Sequence, residues 1–178
     1  HDVAAFVDVL ASSMPEHGRW VHFGLTSSDL LDTTLAVQMK EAGHLLAEGV
    51  IALFESVQRL AIEHRDTPMI GRTHRMWAEP TTFGHKMAGF EMTLVNAHMR
   101  LLNALHTVGY GKLSGPVGNY STIPAEVELH ALGALGLKAQ PAATQVVSRD
   151  RHALFMSTLA VIGSTLELMA TEIRHLQR

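Results

Sequence analysis

The polar chemistry of this sequence is gathered into a few short segments that interrupt long apolar, helix-periodic runs. The segment GRTHRMWAEPTT at 71–82 holds Arg72, His74, Arg75, Trp77 and Glu79. Comparable groups stand in HD at 1–2, VHFGLTSSD at 21–29 and TQVVSRDRH at 144–152, and a glycine-rich stretch, GKLSGPVGN, runs from 111 to 119. His1, His22 and His74 can give or take a proton near neutral pH. Thr26 and Ser27 stand at a helix start, where hydroxyls and free backbone N–H groups hold a carboxylate or a phosphate. Gln145 both donates and accepts, which suits an amide or carboxylate ligand. Arg72, Arg149 and Arg151 can pair with anions. Together these groups suit a pocket for a polyanionic small molecule.

Each segment also has a structural reading. LTSSD is a sufficient helix N-cap, SRD is a cap with a first-turn acid, and AEPTT is a helix-start signal. SGPVG fits neither the Walker nor the dinucleotide spacing. Trp77 reads as packing. Two Glu-x-x-His pairs, Glu41 with His44 and Glu172 with His175, match part of the ligand set of a di-iron bundle. By helical phase, though, each of these histidines lies roughly 125–130° from the centre of its apolar seam. A solvated face is expected there, and no metal.

The elements that must position these groups are long helices. Apolar periodicity predicts helices over residues 1–13, about 28–65, from Pro80 and Thr81 onward to about 107, about 124–135, and from Ser148 or Arg149 to the end. The second has a seam of Leu31, Leu35, Met39, Ala42, Leu46, Leu53, Val57 and Leu60. The third has Phe83, Met87, Phe90, Leu94, Ala97, Leu101 and Ala104. The last has Phe155, Leu159, Ile162, Leu166, Met169, Ile173 and Leu176. The alternating four–three spacing is that of a heptad seam. No strand-like alternation stands out. Three helices of roughly 27 to 38 residues would each be about 40 to 57 Å long. Three such helices leave apolar faces uncovered, so their burial is expected to need other chains.

Composition bounds the function. The 178 residues, 47% apolar, suit a globular domain. Fourteen Lys+Arg against 17 Asp+Glu give a formal charge of −3, which argues against a nucleic-acid-binding surface. Twelve histidines supply many groups for proton transfer, and the absence of cysteine excludes thiolate catalysis and disulfides and fits a reducing, cytoplasmic setting. No uninterrupted apolar run reaches the length needed to span a bilayer, so no membrane partner is expected. The chain opens on HDVAAFVDVL and closes on EIRHLQR, both in mid-helix pattern. An interior fragment of a longer polypeptide is the expectation.

HDVAAF, VHFGLTSSDLLDT, MIGRTH…AEPTTFG, GKLSGPVGNY, TQVVSRDRHA and EIRHLQR, in this order, resemble the adenylosuccinate lyase branch of the fumarase/aspartase superfamily. The resemblance implies an all-α fold, a long-helix bundle. Residues 1–23 would close the N-terminal helical domain and 24–178 would form part of the central bundle. It implies a homotetramer with active sites shared between subunits, a nucleotide-like substrate, elimination of fumarate, and neither a redox cofactor nor a metal. Residue by residue, His74 would be the general acid. His1 and Asp2 would contact substrate and place the catalytic histidine, Thr26 and Ser27 would bind the succinyl part, and Gln145 would bind substrate. His22 matches a nearby site histidine, and Arg149 and Ser114 would support the site from behind.

Relatives more often have Gly where Arg75 sits and His where Trp77 sits. The family's base-bearing serine loop would follow Arg178 and its phosphate-binding segment would precede His1, so the fragment alone is expected to be inactive. Argininosuccinate lyase and carboxymuconate cycloisomerase share the implied fold, and a non-catalytic helical scaffold is the alternative from another class.

Overall fold

The computed structural model describes residues 2–177. Five α-helices dominate: α1 Asp2–Ser12, α2 Ser27–Glu63, α3 Phe83–Val108, α4 Ala125–Ala134 and α5 Arg149–Leu176. The three long ones have 37, 26 and 28 residues. The expected all-α bundle is therefore present. The chain forms two compact units, one of residues up to Glu41 with Thr107–His152, the other of Ala42–His106 with Ala153 onward. α2, α3 and α5 contribute residues to both.

In the second unit the central stripe of α3 is as its heptads predict. Met87, Leu94, Ala97, Leu101 and Ala104 are all buried. The buried line of α2 departs from its expected seam, and that of α5 departs in part, keeping Phe155, Ile162 and Met169. The buried line of α2 runs through small residues, among them Ala47, Val50, Val57 and Ala61, while Leu46 and Leu60 are exposed. In α5 the buried line is Phe155, Thr158, Ile162, Thr165 and Met169, and Leu166 and Ile173 are exposed. Close packing explains the shift: a Cβ on Gly43 would lie 2.3 Å from Leu105 Cδ2 and 3.2 Å from Phe155 Cε2. Small residues of α2 let large ones of α3 and α5 approach, and the leucines are left facing outward.

α5 bears on the membrane expectation. By length and composition it could cross a bilayer, with a mean hydropathy of 1.6 over its most apolar 18 residues. Its buried line at three–four spacing is nonetheless the pattern of a helix that packs on one stripe.

Sequence alone has Pro80 and Thr81 opening α3 and no strand before it. The structure instead has an antiparallel hairpin, β1 Pro68–Thr73 and β2 Met76–Thr82. α3 begins at Phe83, and Thr82 Oγ1 accepts the His85 N–H at 3.1 Å as its cap. The base of the hairpin is tied to the end of α2: Phe83 N–H donates to Thr67 O and Gly84 N–H to His64 O, both at 2.9 Å.

In the first unit, β3 Tyr110–Gly111 pairs in parallel with β4 Lys138–Ala139. Ala36, Leu132 and Leu137 form a small core beside them. A 3₁₀ turn at Gly18–Trp20 follows α1.

Gly84 tests the hairpin's seat on α2. A Cβ there would lie 2.5 Å from Ala61 O and 2.5 Å from Arg65 Cα, both backbone atoms that cannot turn aside. Gly84→Ala is expected to cost about 1–3 kcal/mol by overpacking, read as a lowered midpoint in urea denaturation. An unchanged midpoint would mean that the hairpin is not seated there.

Candidate functional site

The first unit assembles its candidate groups on a buried polar frame. Thr26 caps α2, with the Asp29 N–H donating to Thr26 O at 3.0 Å. Asp29 reaches back, and its Oδ2 accepts the Thr26 N–H at 2.8 Å. Asp29 thus supplies the acidic half of a capping box at the third helical position, while its own N–H is taken by the Thr26 backbone carbonyl. Asp29 is fully buried and forms an ion pair with Lys112, which is also fully buried. Lys112 Nζ donates to Gly115 O at 3.0 Å, and Gly115 N–H donates to Asp29 Oδ2 at 3.1 Å.

Two further buried acids hold neighbouring segments. Glu128 of α4 accepts the Leu113 N–H at 2.7 Å and the Tyr120 hydroxyl at 2.6 Å. Asp32, one turn along α2 from Asp29, accepts the Val147 N–H at 2.8 Å and Arg149 Nη2 at 3.0 Å. Gly118 lies backbone against backbone on the stretch leading to Gln145: its φ is +75°, and a Cβ would fall 1.8 Å from Ala143 O.

The N-terminus of α2, the glycine-rich loop and the 143–149 segment are thus fastened together. Ser27 and Gln145 are exposed on that frame, and Thr26 is half-buried. An exposed hydroxyl and amide beside free N–H groups of a helix start can take up a carboxylate.

The remaining predictions fall around this frame. Arg149 is half-exposed and spends its guanidinium on Asp32. Ser114 is buried, and its Oγ has no partner within the described residues. His22 is half-buried in a left-handed backbone conformation (φ 64°), its Nε2 also buried without a partner. Asp2 is exposed in the first turn of α1, its carboxyl held below the ordinary value chiefly by the Val3 backbone N–H. His1 lies outside the described residues.

His74 belongs to the second unit. Thr73 pairs with Met76, so His74 and Arg75 are the two-residue turn of the hairpin. Both have positive φ, 50° and 63°, as a type I′ turn requires. Gly71 sits where the register shifts, and a Cβ there would lie 2.7 Å from Glu79 O, so the first residue of GRTH has to be glycine. His74 and Arg75 are exposed, and Trp77, expected to pack, is 82% exposed in this chain. A cavity of about 610 Å³ beside the hairpin is lined by Arg72, Arg75, Lys86, Glu172 and His175 among others. Glu172 is paired with Lys86 there. No group of three or more metal-ligating side chains occurs among the described residues.

Asp29, Asp32, Lys112, Glu128 and Tyr120 were not among the expected site groups. The signal for the first two is a pair of acids three apart at a helix start. For the others, no local pattern announces a buried charge.

The family profile described as Lyase matches residues 2–178. An adenylosuccinate lyase of Aquifex aeolicus is 53% identical over 178 residues, all of this chain and 41% of that protein. Among solved structures, a fumarate lyase of a Mesorhizobium species superposes with a TM-score of 0.91 at 29% identity, over 98% of this chain and 42% of the other. A 3-carboxy-cis,cis-muconate lactonizing enzyme of Pseudomonas putida gives 0.84 at 30% identity, over 96% and 39%. The chain therefore spans about two-fifths of the length of the relatives it matches.

Tyr120 offers a check on the frame. Its hydrogen bond to Glu128, then burial, then the repulsion between two negative charges push its hydroxyl from 10.0 up to about 12. The folded value is the higher one, so the stabilisation is complete below pH 10 and is lost as pH climbs through about 12. Wild-type stability is expected to fall in that window, and Tyr120→Phe to remove that part of the fall, in urea denaturation repeated across alkaline pH.

Proposed function

This chain belongs to the lyase family, and we infer that it carries part of the active site of an adenylosuccinate lyase. The observation that carries the reading is 53% identity to such an enzyme along all 178 residues. The muconate lactonizing enzyme, at 30%, is further away.

In the proposed reaction the carbon–nitrogen bond of adenylosuccinate breaks. The electron pair of the adjacent C–H bond becomes the double bond of fumarate, and the nitrogen departs with its bonding pair as part of AMP. The same elimination would act on the succinylated imidazole-carboxamide nucleotide, which places the enzyme in purine nucleotide biosynthesis. A departing amide-like nitrogen needs a proton, and His74 is the group proposed to give it. Thr26 and Ser27 would hold the succinyl carboxylates at the start of α2. Gln145 would bind a polar group of the same substrate, and His1 and Asp2 would contact it and place the acid. His22 would line the site, with Arg149 and Ser114 behind it. By resemblance, the base that takes the carbon-bound proton is a serine on a segment following Arg178.

Residues 1–23 are proposed to end one domain and 24–178 to belong to the central bundle. The outward-facing Leu46, Leu60, Leu166 and Ile173 support a homotetramer in which these helices are covered by other subunits. His74 would then serve a site completed by neighbouring chains. A cytoplasmic enzyme is the setting that fits this role.

Fumarate release from adenylosuccinate, followed by ultraviolet absorbance, tests the reading. The full-length protein is expected to be active, and His74→Ala to lower its rate about 10²- to 10⁴-fold while leaving assembly intact. The 178-residue chain alone is expected to release none. Turnover of argininosuccinate in place of adenylosuccinate, or a His74→Ala variant at the wild-type rate, would overturn it.

A further inference from the structure

We propose that Lys112 is a positioning residue for Thr26 and Ser27, acting through Asp29. The proposal rests on the reading of those two residues as succinyl-binding groups. Lys112 is fully buried, so its ammonium cannot meet a ligand. What it does meet is the Asp29 carboxylate and, at 3.0 Å, the Gly115 carbonyl.

Asp29 in turn accepts the N–H groups of Thr26 and Gly115. The Gly115 residue is therefore gripped at both ends, its N–H by Asp29 and its carbonyl by Lys112. Lys112 has no freedom to drift, because its own backbone is pinned to α2. Its N–H donates to Thr33 Oγ1 at 3.1 Å, and its carbonyl accepts from the same hydroxyl at 3.0 Å.

The consequence runs from charge to geometry. Thr26 is at once the cap of α2 and a proposed ligand group. The carboxylate that holds its N–H therefore sets where its hydroxyl and that of Ser27 stand. A buried carboxylate with only neutral donors is a costly lone charge. Without the ammonium, Asp29 must take up a proton or turn toward water, and either change loosens Thr26. Glycine at 115 is part of the same device. With φ at +82° it presents its carbonyl to Lys112, and a Cβ would sit 3.4 Å from Gly24 O.

The experiment uses the full-length protein in three forms: wild type, Lys112→Met, and Lys112→Met with Asp29→Asn. Hydrogen exchange by mass spectrometry follows the peptide containing Thr26 and Ser27, and steady-state kinetics on adenylosuccinate run alongside. Lys112→Met is expected to speed exchange in that peptide. It should raise KM about tenfold while kcat changes less, the mark of lost uniform binding. The double variant removes the lone buried charge. It should regain thermal stability yet keep the raised KM, because a neutral amide oxygen bonds the Thr26 and Gly115 N–H groups more weakly than the ion-paired carboxylate does.

Unchanged exchange at Thr26, or a KM that returns to the wild-type value along with stability, would overturn the proposal in favour of a purely structural role. If the single variant does not fold, the double variant decides by the same two readings. A wild type that does not turn over adenylosuccinate would remove the lyase reading alone, and the exchange measurement would still decide for or against positioning.

Discussion

The fully buried pair of Asp29 and Lys112 is the constraint on which the first unit depends. Taking two charges out of water costs several kcal/mol for each ion, and their attraction offsets this only when the remaining lone pairs and protons are also satisfied. Here they are. The carboxylate accepts two backbone N–H groups beside the ammonium, and the ammonium also donates to a carbonyl. A pair closed in this way adds little net stability compared with well-packed apolar residues. What it adds is register: α2 and the glycine-rich loop can meet in only one alignment without stranding a charge. Asp32 extends the same logic one turn further, holding Val147 and Arg149 and so the approach to Gln145. Two acids on one helix thereby fix two exposed segments relative to each other, although both acids are themselves buried.

The second unit solves a different problem. Its buried stripe on α2 is made of Gly43, Ala47, Val50, Val57 and Ala61, small enough for α3 to pack at close range. The larger leucines, which a helical wheel would place in a core, face outward. A sequence under selection only for a monomeric fold has no reason to keep leucine at heptad spacing on a solvent face. The long helices therefore carry two seams of different character, a narrow one of small residues for intrachain contact and a broader one of leucines left uncovered. This division of labour, more than the count of exposed apolar residues, is what supports the proposed association.

Periodicity made the helices legible, because a three–four repeat is a local property that burial then reads out, as in α3. It did not say which of two adjacent stripes would be buried. That is settled by how closely neighbouring helices approach, and Gly43 against Leu105 is not visible in either helix alone. The hairpin was missed for a related reason. Most of its residues are exposed on both faces, so no alternation of apolar and polar marks the strands, and Pro80 in a two-stranded sheet looks the same as Pro at a helix start. In the candidate site the exposed groups were legible as residue types, but the frame beneath them was not. Lys112 lies 83 residues from Asp29 and would pass for a solvated lysine in any local window.

The hairpin turn shows what such a frame permits. Left-handed backbone costs an L-residue roughly 1–2 kcal/mol, and two successive non-glycine residues adopt it at His74 and Arg75. A tip of this kind persists only if the rest of the hairpin over-determines it. The restraints are present at its other end, in the bonds of Phe83 to Thr67 and Gly84 to His64, the close seat of Gly84 on α2, and the tight passage of Gly71 past Glu79. Glycine at position 75 would relieve the second of the two strained conformations, and arginine does not. The sequence thus accepts strain beside the proposed proton donor. In exchange it gains a guanidinium on the cavity wall, next to Arg72 and within the same lining as Lys86 and His175. The strain is tolerable because it is stored at an exposed tip while the anchoring is done at the base, and a histidine at such a tip is held by its backbone and left free at its ring.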